Sequence, residues 1–280
     1  MSPEPVEGSA VDSPAVDVLI PTFGRPTALA VTLAGVAAQT HRSLRVIVSN
    51  QDHAAFPDEV LAVAGVLRAQ GRIVELAHHL PRRGMAEHRQ SLLDRATAPY
   101  VLFVDDDVVL EPDLVARLVA AIARERCGFV GSALLGWSFV GDVRPAEQSI
   151  ELWTGPVVPE RVVPGSPAWE RHRLHNAANL VHVARRLDPP RWPPRLYKVA
   201  WVGGCVLYDA RVLREAGGFE FWRELPESHA GEDVLAQLRV MARAGGAGLI
   251  PSGAWHLELP TTVSDRRIDA PLALPIETPG

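Results

Sequence analysis

In the stretch YVLFVDDDVVLEPD (Tyr100–Asp113), an apolar run stops abruptly at three consecutive aspartates. Tyr100–Val104 has the length and the β-branched and aromatic content of a strand buried on both faces, and Glu111-Pro112-Asp113 reads as a helix start. Asp105, Asp106 and Asp107 therefore belong at a strand's carboxyl end. Neighbouring carboxylates repel by about 1 kcal/mol per pair at contact in water, and by several times that near an effective dielectric of about 20. A divalent cation offsets this most simply, because Mg²⁺ and Mn²⁺ take carboxylate oxygens and share their shell with substrate phosphates. A solvated acidic turn is the alternative, since aspartate is common in turns.

Upstream, strand and helix patterns alternate. Val16–Pro21 reads as a buried strand, and Thr22–Arg25 as the turn into a helix opened by Pro26, with Leu29, Leu33 and Val36 on one face. Leu44–Ser49 is a second strand, followed by the polar turn Asn50–His53. Pro57–Gln70 is helical, Arg72–Leu76 a third strand, and Gly84–Ala96 a helix leading into the aspartate strand. This alternation predicts an α/β fold with a mostly parallel sheet and right-handed crossovers. Such sheets bind ligands beyond the carboxyl ends of their strands, which brings Thr22, the Asn50–Asp52 turn and Asp105–Asp107 to one rim. No G-x-G-x-x-G follows the first strand and no G-x-x-x-x-G-K-[ST] occurs, which disfavours a dinucleotide-dependent dehydrogenase and a P-loop NTPase.

Downstream, Asp113–Glu125 reads as a helix with Leu114, Leu118 and Ile122 inward, and Cys127–Leu135 as a strand. From about 136 to 194 periodicity is lost among prolines, charges and four tryptophans (Trp137, Trp153, Trp169, Trp192). Each of these either pins a loop to the body or stacks on an apolar sugar face or lipid. Order returns at Val199–Leu207, Asp209 caps a short helix, and Gly231-Glu232-Asp233 opens the helix Val234–Ala244. A strand pair within Gly248–Leu259 carries His256. The expected organisation is a disordered leader (1–15), a first half (16–135), a second half of the same domain (136–260) and a peripheral proline-rich tail (261–280).

Composition narrows the function. The 280 residues are 47% hydrophobic, ample for a sizeable core, and a net charge of -5 offers no basic field for nucleic acid. Lys198 is the only lysine, and Cys127 and Cys205 lack metal-ligand spacing, as expected of structural thiols in a reduced, cytoplasmic protein. The acidic leader lacks the features of a secretion signal, and no apolar stretch approaches the length of a membrane span. Attachment at the inner face of a membrane and homo-oligomerisation stay open.

Four segments resemble family 2 glycosyltransferases in that family's order. VDVLIPTFGRPTALAVTLAGVAAQTH, from Val16, is similar to the opening strand and helix. GMAEHRQSLL, from Gly84, resembles the Gly-x-Ala-x-x-Arg-Asn helix, and YVLFVDDDVVLEPD the Asp-x-Asp strand. WVGGCVLYDARVLREAGGF, from Trp201, and GEDVLAQLRVMARAGG, from Gly231, resemble the acceptor-side Gly-Gly-Phe and Glu-Asp segments. The likeness covers about 16–256. It implies a GT-A fold with a Rossmann-like sheet flanked by helices, a nucleotide-diphosphate-sugar donor site, and an acceptor-binding C-terminal portion.

Carried over, Pro21 and Thr22 would line the nucleotide base, and Arg89 would contact base or phosphate. Asp105 would lie near the ribose, with Asp106 in support; Arg25, Asn50 and Asp52 complete the donor side. Asp107 would ligate Mn²⁺ or Mg²⁺ together with Asp105, and His256 is a further candidate ligand, comparable to a downstream histidine in polymerising galactofuranosyltransferases. Where many members place an Asp-Asp pair after the second strand to grip uracil, this chain has Asn50-Gln51 with Asp52 next; Gly24 and Gln90 replace asparagines common in the family. Asp233 would be the general base of an inverting transfer to an acceptor hydroxyl, supported by Glu232; the bland alternative is that both acids complement a helix N-terminus. Trp201, Gly203, Gly204 and Trp222 mark the acceptor side. The Arg82-Arg83 pair before Gly84 reads as solvated loop charge, with contact to phosphates as the alternative. A nucleotidyltransferase and a non-catalytic nucleotide-sugar-binding relic are the rival readings.

Overall fold

The computed structural model describes residues 15–263 and 265–277; apart from Ala15, the expected leader lies outside the described residues. Strands β1 (Val16–Thr22), β2 (Leu44–Asn50) and β3 (Ile73–His78) alternate with helices α1 (Pro26–Ala37), α2 (Asp58–Ala69) and α3 (Met85–Arg95). After them come β4 (Tyr100–Val104), β5 (Val108–Leu110), α4 (Leu114–Glu125), β6 (Phe129–Gly131) and β7 (Leu135–Gly136). The second half contributes α5 (Asn179–Leu187), β8 (Arg195–Tyr197), β9 (Cys205–Asp209), α6 (Ala210–Glu215), α7 (Glu232–Ala244), β10 (Gly246–Ile250), β11 (Ala254–His256) and α8 (Ala270–Ala273).

Eight strands form one sheet in the order β3-β2-β1-β4-β9-β6-β10-β8, and β5-β11-β7 form a small second sheet. β1 pairs in parallel with β2 and β4, and β2 with β3; β9 runs antiparallel to both β4 and β6. The result is the mostly parallel α/β sheet that the alternation predicts. All seven residues of β1 are buried, as continuous apolar runs are where helices cover both faces of a sheet. Its one charge, Asp17, is fully matched: Arg45 donates from Nε at 2.8 Å and Nη2 at 2.6 Å, and the backbone N–H groups of Thr97 and Ala98 donate at 2.7 and 2.9 Å.

Two connections position the site's loops, and a glycine makes room for one of them. Arg117 on α4 is fully buried, donates to the carbonyls of Pro251 and Ser252 at 2.7 and 2.9 Å, and so fixes the turn that leads into β11. The backbone N–H of Asp105 donates to Gly204 O at 2.9 Å, tying the end of β4 to the loop before β9. Gly204 has a φ of +73°, and a Cβ there would lie 2.3 Å from Leu134 Cδ1 and 3.2 Å from an Asp105 carboxylate oxygen.

Several expected elements differ. The order expected at Val199–Leu207 takes the form of a strand from Cys205, after the positive φ at Gly204. Cys127–Leu135 splits into β6 and β7, which belong to different sheets. The stretch 136–194 holds a 3₁₀ turn at Trp169–His175 and the helix α5. The tail expected at the periphery is seated instead: Ala230 and Asp269 form a parallel bridge, Ala230 N–H donates to Ile268 O at 2.9 Å, Ala270 N–H donates to Ala230 O at 2.8 Å, and Ala270 is buried. No helix among the described residues is long and apolar enough to cross a membrane.

Candidate active site

A cavity of about 510 Å³ opens across the carboxyl ends of β2, β1 and β4 and reaches the N-terminus of α7. Pro21, Thr22, Arg25, Arg89, Asp105, Asp106, Asp107, Trp201, Glu232, Asp233 and His256 all line it, so residues spread over most of the chain converge there. Thr22 Oγ1 donates to Asp106 Oδ2 at 2.6 Å. Burial, only partly countered by Thr22 and Arg25, pushes the Asp106 carboxyl up to about 6. The Arg25 guanidinium donates to Asp107 Oδ2 at 2.8 Å and to Asp106 Oδ1 at 3.3 Å, and it is braced by the carbonyl of Pro260.

Arg89, almost wholly buried, bridges the two halves of the site. Its Nε donates to Glu232 Oε1 and its Nη2 to Asp105 Oδ1, each at 3.0 Å. Burial works against the guanidinium charge, but Asp105, Glu232 and Asp233 around it outweigh that and hold it firmly protonated. Asp233 heads the first turn of α7, where burial and then the neighbouring Glu232 push its carboxyl up to about 7. Trp201 is backed by His172, stacked at 4.9 Å, and by Trp169 at 4.5 Å between ring centroids.

His256 Nε2 approaches Asp107 Oδ2 at 3.2 Å, and this hydrogen bond raises the imidazole's pKa. Among the described residues no group of three carboxylate, histidine or cysteine side chains converges as a complete metal cage. Asp107 and His256 supply two donors on one wall of the cavity. That set suits a Mg²⁺ or Mn²⁺ ion that completes its shell with phosphate oxygens and water.

Other predicted residues stand elsewhere. Asn50 Oδ1 accepts from Asp52 N at 2.9 Å, so this pair closes the turn after β2 while Gln51 between them faces the cavity. Gly203, Gly204 and Trp222 are not among the lining residues; Trp222 packs on the core and carries Arg223 over its ring at 4.8 Å. Arg82, read as a solvated loop charge, lines the cavity with its guanidinium 3.7 Å from the Phe23 ring centroid.

Among the lining residues to which sequence reasoning gave no role are Gln51, Arg266 and Asp269. Gln51 is 3% exposed, and its carboxamide nitrogen is buried without a partner. Arg266 and Asp269 arrive on the C-terminal strap; Asp269 is pushed up by burial and by Glu232. The replacement of the family's acidic pair by Asn50-Gln51 was a signal for the first, whereas nothing local in the sequence marks the strap.

The profile of glycosyl transferase family 2 matches residues 17–166. Among solved structures, the chain is similar to S. aureus TarS 1–349, with a TM-score of 0.58 and 15% identity over 86% of this chain and 60% of that one. It is similar to the same TarS segment in complex with UDP-GlcNAc, at 0.55 and 14% over 89% and 60%. The mannosyltransferase PcManGT from Pyrobaculum calidifontis, in complex with GDP-Man and Mn²⁺, gives 0.55 and 16% over 89% and 59%. At these identities the likeness is one of fold, and the chain spans about 60% of the length of each structure. No curated protein matches the sequence.

Proposed function

The chain belongs to glycosyl transferase family 2, and from that membership we propose that it moves a sugar from a nucleotide-diphosphate donor to an acceptor hydroxyl with inversion, Asp233 acting as the base. The observation that carries this reading is that Asp233 lines the same cavity as the three aspartates that end β4, where burial and Glu232 push its carboxyl up to about 7. A base poised near the working pH combines ready ionisation with proton affinity.

The acceptor oxygen attacks the anomeric carbon as its proton passes to the Asp233 carboxylate. The bond from that carbon to the diphosphate oxygen breaks on the opposite side, and the nucleoside diphosphate leaves with the electron pair. Arg89 holds Glu232 and Asp105 apart at fixed distances and so keeps the base side in register with the donor side. Arg25, Arg82 and Arg266 face the cavity as countercharges for phosphate. Asp107 and His256 would hold Mn²⁺ or Mg²⁺, which when bound neutralises charge on the departing diphosphate. Trp201 offers an aromatic face to the acceptor. Donor chemistry of this kind fits a cytoplasmic enzyme.

Donor binding and transfer test the proposal together. Calorimetry with uridine, guanosine and thymidine diphosphates, with Mn²⁺, Mg²⁺ or chelator, should show binding of at least one. Asp233→Asn should keep that binding and lose transfer. Full turnover by Asp233→Asn would remove the base, and silence toward all three nucleotides would remove the donor site.

A further inference from the structure

The indole rings of Trp137 and Trp255 stack with centroids 4.1 Å apart and planes inclined by 26°, and Trp137 is 54% exposed. Trp255 lies in β11, immediately before His256. Neighbouring side chains in a strand point to opposite faces. With His256 facing the cavity, the indole pair lies on the other side of the small sheet. Trp255 is anchored there: it packs against the core, and its indole N–H donates to Glu111 Oε1 at 3.4 Å.

The surroundings of the pair are polar and acidic. Arg191 donates to Glu111 Oε2 at 2.6 Å and to Asp113 Oδ2 at 2.7 Å, and Glu258 accepts from the backbone N–H of Ser138, next to Trp137, at 3.1 Å. Three carboxylates, Glu111, Asp113 and Glu258, against two guanidiniums, Arg191 and the buried Arg117, leave no excess of positive charge for an anionic bilayer. They match a neutral polyhydroxylated ligand, whose C–H face stacks on an indole while its hydroxyls donate to carboxylate oxygens.

We propose that the Trp137–Trp255 stack is a glycan-binding platform, separate from the catalytic cavity, that takes a neutral pyranose unit of an oligosaccharide. The choice of a glycan rests on the transferase reading. A platform on the reverse of the strand that carries His256 holds a long acceptor or product close to the site of transfer without occupying it.

The full chain is titrated by calorimetry with neutral hexasaccharides of the malto, cello, manno and N-acetylchito series. At least one series binds, and Trp137→Ala weakens it by roughly tenfold, whereas Trp137→Phe, which keeps an aromatic face, retains most of the affinity. The melting temperature and the response to nucleoside diphosphates stay unchanged in both variants. The proposal is overturned if none of the four series binds, or if Trp137→Ala binds them as the parent does. It is equally overturned if Trp137→Ala instead abolishes binding to phosphatidylcholine vesicles, or abolishes a concentration-dependent rise in mass by light scattering. Those last two results would assign the face to a bilayer or to a second copy. Failure of the transferase reading is distinguished by the absence of any nucleoside diphosphate response in the parent protein.

Discussion

Arg25 and His256 meet the same carboxylate oxygen: Asp107 Oδ2 lies 2.8 Å from the Arg25 guanidinium and 3.2 Å from His256 Nε2. The acidic rim is thus neutralised from within, and a divalent ion taking Asp107 must compete with that guanidinium. Arg25→Gln is expected to act in two opposite ways. Without metal it leaves Asp106 and Asp107 short of a counterion, lowering stability by roughly 1–3 kcal/mol. Mn²⁺ titrated in the absence of nucleotide binds more tightly, because its competitor is gone. Thermal melts with and without Mn²⁺ read both arms; weaker Mn²⁺ binding by the variant would contradict the competition.

Asp233 makes a stability prediction as well as a catalytic one. Its folded-state pKa of about 7 is above the ordinary carboxylate value. Between about pH 4 and 7 the folded state keeps a proton that the unfolded chain has released, so stability falls as pH rises through that window and levels off above it. Asp233→Asn cannot ionise. It should melt with the parent near pH 4 and a few degrees above it at pH 8. The parent's rate should climb with pH through about 7, and the variant should lose about 10²–10⁴-fold in kcat. Identical melting at pH 8 would show that the carboxyl is not raised.

How much of this was legible depended on how local each cause is. The aspartates after β4 could be read because a five-residue apolar run and the acids that end it are contiguous. Thr22 followed from the position of β1, and Arg89 from the resemblance of the α3 segment to the family's helix. Within the ordered run Val199–Leu207 the strand starts only at Cys205; Gly204, where φ is +73° and a Cβ would meet Leu134 and Asp105, both distant in sequence, is not marked locally. Trp222 carried the same aromatic signal as Trp201, yet packing on the core removed it from the cavity wall. Arg266 and Asp269 come to the site through a single backbone bridge at Ala230, a contact without periodicity or motif.

Gln51 combines near-complete burial with an unpartnered carboxamide nitrogen on the cavity wall. A buried donor left without an acceptor costs about 1–3 kcal/mol, and a bound base or ribose oxygen would relieve that cost. Gln51→Met keeps the shape and removes the donor. It is expected to melt at or above the parent temperature without ligand, and to bind nucleoside diphosphate roughly three- to tenfold more weakly. Unchanged affinity would mean that Gln51 does not meet the ligand.

Gly231 is the position at which the strap bears on the proposed base, Asp233. Its φ is +74°, and a Cβ there would lie 2.0 Å from Asp269 Oδ1 and 2.8 Å from Pro271 Cδ. Any side chain must therefore push the 268–271 segment away or tilt the first turn of α7, which begins at Glu232 and carries Asp233. Gly231→Ala is expected to cost roughly 1–3 kcal/mol of stability, from positive φ and overpacking together, and to lower kcat more than donor affinity. Adding Asp269→Ala removes the closest clash but leaves the backbone penalty. The double variant should therefore recover part of the lost stability relative to Gly231→Ala alone. If it recovers none, contact with Asp269 is not what requires glycine at 231, and the backbone conformation alone accounts for it.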